Sequence, residues 1–541
     1  MGCRPFLAGL ALSLAASTSL PARAATLTVG PGKMYAAPCA AIAAAADGDT
    51  IEIDATGSYA GDVCAIPKNR LTLRGVGGRP RIDAAGRNFG GKGIWVISGN
   101  DTTVENIEFS GATVPDQNGA GIRQEGQNLT VRSCYFHDNE NGILSGGSPT
   151  TAILIEYSEF ANNGFGDGFS HNMYIGHEGR FTLRYSYSHG AKVGHLVKSR
   201  AAENYILYNR ISGEDGSASY EIDLPNAGTS YIIGNLVQQG PSTQNATFVT
   251  YGVEGATPQN PGHTLFVVNN TFVNDRPAGG TFISVGGAIT TGAFIANNIF
   301  FGAGTITNQT SAILMTNFAQ GDPRLVDRAA YDYRLAPGSP CINAGSDPGT
   351  GAGFALLPSR QYLHPAGAID RTIDGIVDIG AYEFGVATDA GTDATAPPDG
   401  SGGAGGSSPT DAGRGDVPPR DAGAGGTDGG GPPSSDASLG DAAVDRSLSD
   451  AARPDASLAD AAPDASLADA APDASLADAT PDASLADAAA PDATPPNPTG
   501  GSADSSGCGC RTAHDGSASR ATIAVLALVL AARRRRARPM M

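Results

Sequence analysis

The sequence predicts an all-β solenoid, a right-handed parallel β-helix, and three observations predict it. The first is a six-residue pattern that recurs along the middle of the chain: Val104-Glu105-Asn106-Ile107-Glu108-Phe109, then VRSCYF from Val131, IEYSEF from Ile155, LRYSYS from Leu183, ILYNRI from Ile206, IIGNLV from Ile232, VVNNTF from Val267 and IANNIF from Ile295. Most copies start some two dozen residues after the one before, a spacing typical of stacked supersecondary units. The second is composition: the copies are rich in β-branched and aromatic residues and are separated by Gly- and Asn-rich turns. The third is the fourth position of the pattern, which runs Ile107, Cys134, Ser158, Ser186, Asn209, Asn235, Asn270, Asn298. Its last four members stack as an asparagine ladder inside a bend, each amide bonded to the next and to turn backbone.

The elements follow in order. Met1 to Ala24 reads as a secretory signal peptide: Arg4 gives the positive start, Phe6 to Ala16 the apolar stretch, and Ala22-Arg23-Ala24 the small-x-small cleavage site. Export of the mature chain is the expectation. Residues 25–385 form the β-helix. Cys39 to Asp47 is predicted as an Ala-rich helix capping the first coil and shielding its strand edge. Asp49-Thr50-Ile51-Glu52-Ile53 and Leu71-Thr72-Leu73-Arg74-Gly75 alternate as short strands. Residues 102–315 are the regular coils, with each hexamer taken as one strand, and residues 316–385, still within the β-helix domain, differ in pattern.

Of the seven Cys, Cys3 leaves with the signal peptide and Cys508 and Cys510 belong to the tail. Cys39 and Cys64 lie about one coil apart and are expected to pair in an oxidising compartment. Cys134 occupies the interior column and reads as a buried thiol. No cysteine spacing in the folded region suits zinc, and no cofactor motif is identified. A calcium requirement stays open with no residues assigned; Asp370, Asp374 and Asp378, spaced four apart around Gly375, read as a turn-rich cap.

The net charge of −19 belongs mostly to residues 386–507, where Asp is frequent, the only bases are Arg414, Arg420, Arg446 and Arg453, and Pro-Asp-Ala-Ser-Leu-Ala-Asp-Ala-Ala recurs from Pro454, Pro463, Pro472 and Pro481. Such a segment has almost nothing to bury and reads as a disordered, extended stalk. The β-helix itself is close to charge balance and shows no nucleic-acid footprint. Residues 508–541 join Cys508-Gly509-Cys510, an apolar run from Ala521 to Ala532 and the basic cluster Arg533 to Arg536. This tail resembles the C-terminal sorting signal of myxobacterial surface proteins; a plain membrane anchor is the other reading. The arginines fit the positive-inside pattern. Either reading implies export machinery and the membrane as partners, with the protein at the cell surface or outer membrane, or released from it.

The opening (DGDTIEI, LTLRGVGGRPRIDAAG, GKGIWVI) and the ending (DYRLAPGSPCINAG, VDIGAYE) resemble those of bacterial secreted β-helix proteins of the pectate-lyase-like superfamily. That superfamily holds lyases, hydrolases, epimerases and non-catalytic adhesins.

The polar residues least like scaffold fall in three consecutive coils: Asp167, His171, Asn172, Tyr174 and His177; His189, His195, Lys198 and Arg200; Tyr220, Glu221, Asp223 and Asn226. Coil spacing places Tyr174, Lys198 and Asp223 in one outward column and His171 with His195 in a neighbouring one. Stacked coils repeat at about 4.8 Å, which suits an extended polysaccharide. On the functional reading Lys198 is the base that takes the C5 proton of a uronic acid, its pKa lowered by Arg200 and the histidines. Tyr174 protonates the leaving oxygen, and the cations neutralise the carboxylate. The remaining polar residues (Asp167, Asn172, His177, Glu221, Asp223, Asn226) would bind substrate. On the structural reading Lys198–Asp223 is an exposed cross-strand ion pair and the histidines bond turn backbone.

The stretch His195-Leu196-Val197-Lys198-Ser199-Arg200, followed by Asn204 to Asn209 and Ile233-Gly234-Asn235, is similar to the catalytic stretch of the chondroitinase B and alginate lyase family. The resemblance implies that Lys198 is the base. The family's next-coil Arg is replaced here by Glu221-Ile222-Asp223-Leu224, and its acidic calcium ligands by Ala191-Lys192-Val193-Gly194. Elimination, epimerisation and binding without turnover, as in an adhesin, therefore all stay open, beside a purely structural spacer.

Overall fold

The computed structural model describes residues 23–386; the signal-peptide, stalk and tail segments lie outside the described residues. Three parallel sheets run side by side along the solenoid. A twelve-stranded sheet extends from Thr26–Val29 to Ile313–Met315, a ten-stranded sheet from Cys64–Ile66 to Thr305–Thr307, and a nine-stranded sheet from Arg81–Asp83 to Ile299–Phe301. Each strand pairs with its counterpart one coil on, the arrangement of a right-handed parallel β-helix. The register keeps Val104, Val131, Ile155, Leu183, Ile206, Ile232, Val267 and Ile295 in one column. Every member of that column is fully buried. On the nine-stranded sheet Phe109, Phe136 and Phe160 stack with ring centroids 5.0 and 4.8 Å apart, adding offset ring attraction to the area they bury.

The hexamer is not one strand. Its first two residues end a strand of the twelve-stranded sheet, and its last two open a strand of the nine-stranded sheet, as in Leu129–Arg132 and Tyr135–His137. The third position breaks the ladder because it is left-handed: Asn106, Ser133, Tyr157, Tyr185, Tyr208, Asn269 and Asn297 all have φ between 52° and 57°. At Gly234, with φ +67°, a Cβ would meet the Tyr208 ring at 2.6 Å, so glycine is required there on two counts. The fourth position then points into the bend. Asn209, Asn235, Asn270 and Asn298 form the expected ladder, with amide-to-amide distances of 3.0, 2.9 and 2.9 Å, and Asn317 adds a rung at 3.0 Å.

A helix, Pro38–Ala44, buries Ala41 and Ile42 against the first strands of the twelve- and ten-stranded sheets. Cys39 and Cys64 are joined by a disulfide with Cα atoms 5.8 Å apart. Cys134 and Cys341 are free and buried. No helix among the described residues is long and apolar enough to cross a membrane.

Past Asn317 and Phe318, which still stack on Asn298 and Ile299, the chain does not continue the coils. It forms three antiparallel hairpins, Leu325–Asp327 with Asp332–Leu335, Thr350–Gly351 with Phe354–Ala355, and Arg360–Leu363 with Gly367–Asp370. These lie along the outside of the bend as a strap. The Tyr231 hydroxyl donates to the Gly351 carbonyl at 3.1 Å, the Ser359 amide to the Tyr208 hydroxyl at 3.2 Å, and the Ala381 amide to Thr271 Oγ1 at 3.0 Å. Alternating short strands and tight turns look alike in a coil and in a hairpin, so the sequence pattern alone does not separate the two.

Candidate functional site

The ten-stranded sheet carries the candidate column. Strands Met173–Ile175, Val197–Ser199, Ile222–Leu224 and Thr247–Tyr251 lie side by side. Their register pairs Tyr174 with Lys198, Lys198 with Asp223 and Asp223 with Thr250. Val197, Ile222 and Val249 fill the interior, so by strand alternation Tyr174, Lys198, Asp223 and Thr250 face outward.

Asp223 is the hub. Its Oδ2 lies 3.1 Å from His195 Nδ1 and 3.7 Å from Lys198 Nζ, and its Oδ1 accepts from the Thr250 hydroxyl. Burial pushes this carboxyl up, but His195, Lys198 and Thr250 outweigh it and hold it at about 2. Asp223 is thus an anion at neutral pH. Lys198 Nζ also lies 5.4 Å from the Tyr174 ring centroid, within cation–π range. The His171 and His195 rings stack at 4.5 Å, and Tyr220 tilts against His195 at 5.0 Å. His171 Nδ1 accepts the His195 backbone amide at 3.0 Å. Burial, together with the positive neighbours His195, Lys198 and Arg200, pulls the His171 pKa well below the ordinary histidine value. His171 is therefore a neutral ring that supports His195.

A second cluster adjoins the first through Tyr174. Arg200 Nε donates to the Tyr174 hydroxyl at 2.7 Å, and its Nη1 to Asn226 Oδ1 at 2.5 Å. Glu254 takes both Nη1 and Nη2, at 2.5 and 3.2 Å, a bidentate pairing. Burial lowers the Arg200 pKa, but Glu254 and Tyr174 more than reverse it. Asn226 Nδ2 in turn donates to the Gly255 carbonyl at 3.2 Å, and Asn260 Nδ2 to the Asn226 carbonyl at 3.1 Å. The loop after Tyr251 is thereby pinned over Arg200. His177 is half-buried, and burial followed by Arg200 lowers its pKa.

The structure brings Tyr174, Lys198, Asp223, His171, His195, Arg200 and Asn226 together and leaves others out. Asn172 points into the solenoid, where Nδ2 meets Ser188 Oγ at 3.0 Å and Oδ1 accepts from Asn163 Nδ2 at 3.0 Å. Glu221 is fully buried against Gln239 Nε2 at 3.1 Å. Neither reaches the outer face, so neither is placed to touch substrate there. Asp167 shapes its own loop, with Oδ1 accepting the Phe169 amide at 2.9 Å. His189 belongs to the nine-stranded sheet, between Glu159 and Glu214 at 3.3 and 3.2 Å. The Lys198–Asp223 pair is not exposed, since the two residues show only 4% and 3% of their surface. Thr250 escaped the sequence reading although it stands one coil step beyond Asp223. Glu254 escaped it because an irregular loop has no periodicity. Among the described residues, no group of three or more His, Cys, Asp or Glu side chains is placed to hold a metal ion.

The family model for the right-handed β-helix region matches residues 82–237. That stretch contains Tyr174, Lys198 and Asp223 and supports the solenoid reading of the coils around them. No curated protein matches the chain. Among solved structures, the chain is similar to a pectate lyase, Pel9A, at 13% identity over 68% of this chain and 97% of that one, with a TM-score of 0.46. It is also similar to the Dettilon tailspike protein, at 12% identity over 51% of this chain and 63% of that one, with a TM-score of 0.27. Likenesses this distant carry no statement about activity.

Proposed function

We propose that this is an exported, cell-surface, carbohydrate-active β-helix protein that acts on a uronic-acid-containing polysaccharide at the outer face around Lys198. The observation that carries the reading is the in-register column Tyr174–Lys198–Asp223, with His195 converging on Asp223. A parallel solenoid offers equivalent positions every 4.8 Å or so, a spacing suited to an extended polymer. Cations beside a half-buried tyrosine supply what elimination from a uronate needs.

In its amine form Lys198 takes the C5 proton while a neighbouring cation holds the carboxylate. The C5–H electron pair becomes the C4–C5 double bond as the C4–O4 bond breaks, and the Tyr174 hydroxyl gives its proton to the departing oxygen. Return of a proton to the opposite face of C5, with C4–O4 intact, gives epimerisation instead. Asp223 and His195 act on Lys198 by position, holding the amine in the column.

Non-catalytic polysaccharide binding is the second reading. It is favoured by the low exposure of Lys198 and Asp223 and by the prior commitment of Arg200 to Glu254. The protein incubated with a panel of uronate polymers, followed by the ultraviolet absorbance of unsaturated product and by proton exchange at C5, separates the two. Turnover that falls at least about 100-fold in Lys198→Ala, with the circular dichroism unchanged, supports the catalytic reading. Turnover unaffected by that substitution removes Lys198 as the base, and binding without either product leaves the adhesive reading.

A further inference from the structure

We propose that a second anion-binding subsite sits at Arg123, three rungs before Lys198 on the same outward column, and that it takes the carboxylate of another sugar acid in the bound polymer. The inference rests on the polysaccharide reading above and extends it along the solenoid.

Register gives the placement: Arg123 pairs with Leu144, Leu144 with Tyr174, and Tyr174 with Lys198. Three rungs span about 14 Å. One rung is close to the rise of one sugar in an extended chain, so a polyuronate lying along the column brings a carboxylate to each end. Leu144 and Tyr174 lie between and present an apolar and an aromatic surface to the C–H faces of the intervening sugars.

The local structure at Arg123 is a cavity of about 140 Å³, lined among others by Arg123, Glu125, Gly146, Gly147, Ser148 and Glu178. Arg123 Nε is buried and has no hydrogen-bond partner. Glu125 Oε1 lies 3.8 Å from it, too far for a hydrogen bond, and Glu125 is itself engaged by Lys92. Asp116 also acts on Arg123 through space. A further carboxyl in the lining, Glu178, accepts the Gly147 and Ser148 amides at 3.2 and 3.0 Å, and burial pushes its pKa up. It therefore repels an incoming anion less than a surface glutamate would. Arg123 still exposes 18% of its side chain, and a carboxylate offers the planar acceptor pair that a guanidinium matches.

The test uses the full protein and oligouronates of defined length, with affinity measured by calorimetry. Wild type should bind a pentasaccharide about tenfold more tightly than a disaccharide. Arg123→Ala should lose that gain, with its melting temperature recorded as a fold control. Glu125→Gln, which removes a competing carboxylate from an exposed position, should tighten pentasaccharide binding several-fold, and this arm decides if Arg123→Ala does not fold. A pentasaccharide gain that survives Arg123→Ala, or Glu125→Gln that fails to tighten binding, overturns the subsite alone. No binding of any acidic oligosaccharide by wild type overturns the polysaccharide reading and the subsite with it.

Discussion

Glu221 and Asp223 stand two positions apart, yet their carboxyls meet opposite fates. Asp223 lies within the strand Ile222–Leu224, so alternation turns it outward to Lys198 and the His195 ring. Glu221 precedes the strand, in the bend, where alternation does not apply; it turns inward and finds an amide, Gln239 Nε2, in place of a cation. From the sequence both are expected to bind substrate because both are polar residues of the same coil, and the sequence does not mark where the bend ends and the strand begins. The Lys198 and Tyr174 positions were legible because both sit inside strands and at one-coil intervals. The energetic consequence is testable. Burial raises the Glu221 pKa well above the ordinary 4.5. Below the unfolded value both states are protonated and the group is neutral to stability. Above it the unfolded chain releases the proton while the folded chain keeps it, so folding loses up to about 1.4 kcal/mol per pH unit until the folded pKa is reached. Glu221→Gln keeps a neutral carbonyl acceptor for Gln239 and removes this slope. The variant's thermal midpoint should therefore exceed that of wild type by more at pH ~7 than at pH ~4. An equal difference at both pH values would mean that Glu221 does not enter the folded state protonated.

At the level of the coil, the hexamer's third and fourth positions do separate jobs that one pattern conceals. The third adopts the left-handed turn that ends one sheet; the fourth supplies the amide that ties successive turns. The ladder was legible because asparagine recurs at one position and a buried amide needs partners. The strand break was not, because tyrosine, serine and asparagine all occupy the third position and only Gly234 advertises its backbone conformation. Asn235 shows how much each rung carries. Its Oδ1 accepts the Asn209 amide and Nδ2 at 2.9 and 3.0 Å, while its Nδ2 donates to the Ile206 carbonyl and Asn270 Oδ1 at 2.8 and 2.9 Å. Asn235→Leu keeps the branched shape, though it is bulkier, and strands these partners in a fully buried bend, at about 1–3 kcal/mol for each unsatisfied group. Chemical denaturation should show a loss of about 3 kcal/mol or more. Asn235→Ser, the residue that fills this position at Ser158 and Ser186, should cost less, because a hydroxyl can still accept the amide of the preceding coil, as Ser158 accepts from Cys134 at 3.1 Å. Equal losses for the two variants would show that packing and not hydrogen bonding holds the column.

Across the whole molecule, a solenoid contacts itself only from coil to neighbouring coil, and its stability is a chain of local interfaces. The strap adds to that chain by packing across several successive coils at once, with its apolar residues on Tyr208 and Tyr231 in one place and on Val273 and Leu236 in another. Its own lock is Arg371, which is buried. Arg371 Nε donates to Glu383 Oε2 at 2.9 Å, and Nη1 and Nη2 donate to the carbonyls of Gly380 and Asp378 at 3.0 and 3.1 Å. Burial lowers the Arg371 pKa, and Glu383 opposes that. The sequence showed this region as conspicuous, through VDIGAYE, but kept it within the β-helix domain, because a lock made of one arginine and backbone carbonyls leaves no periodic trace. Arg371→Ala leaves the buried Glu383 carboxyl without its cation, while the Asp378 and Gly380 carbonyls keep Asn269 Nδ2 as a donor, a loss of about 3–5 kcal/mol. In a quasi-linear molecule that loss should stay local. Hydrogen exchange should speed in Arg360–Leu363 and Gly367–Asp370, and next in the strands that carry Tyr208 and Tyr231, while the strands around Val104 and Val131 keep wild-type protection. Uniform loss of protection along the solenoid would show instead that the strap and the coils unfold as one cooperative unit.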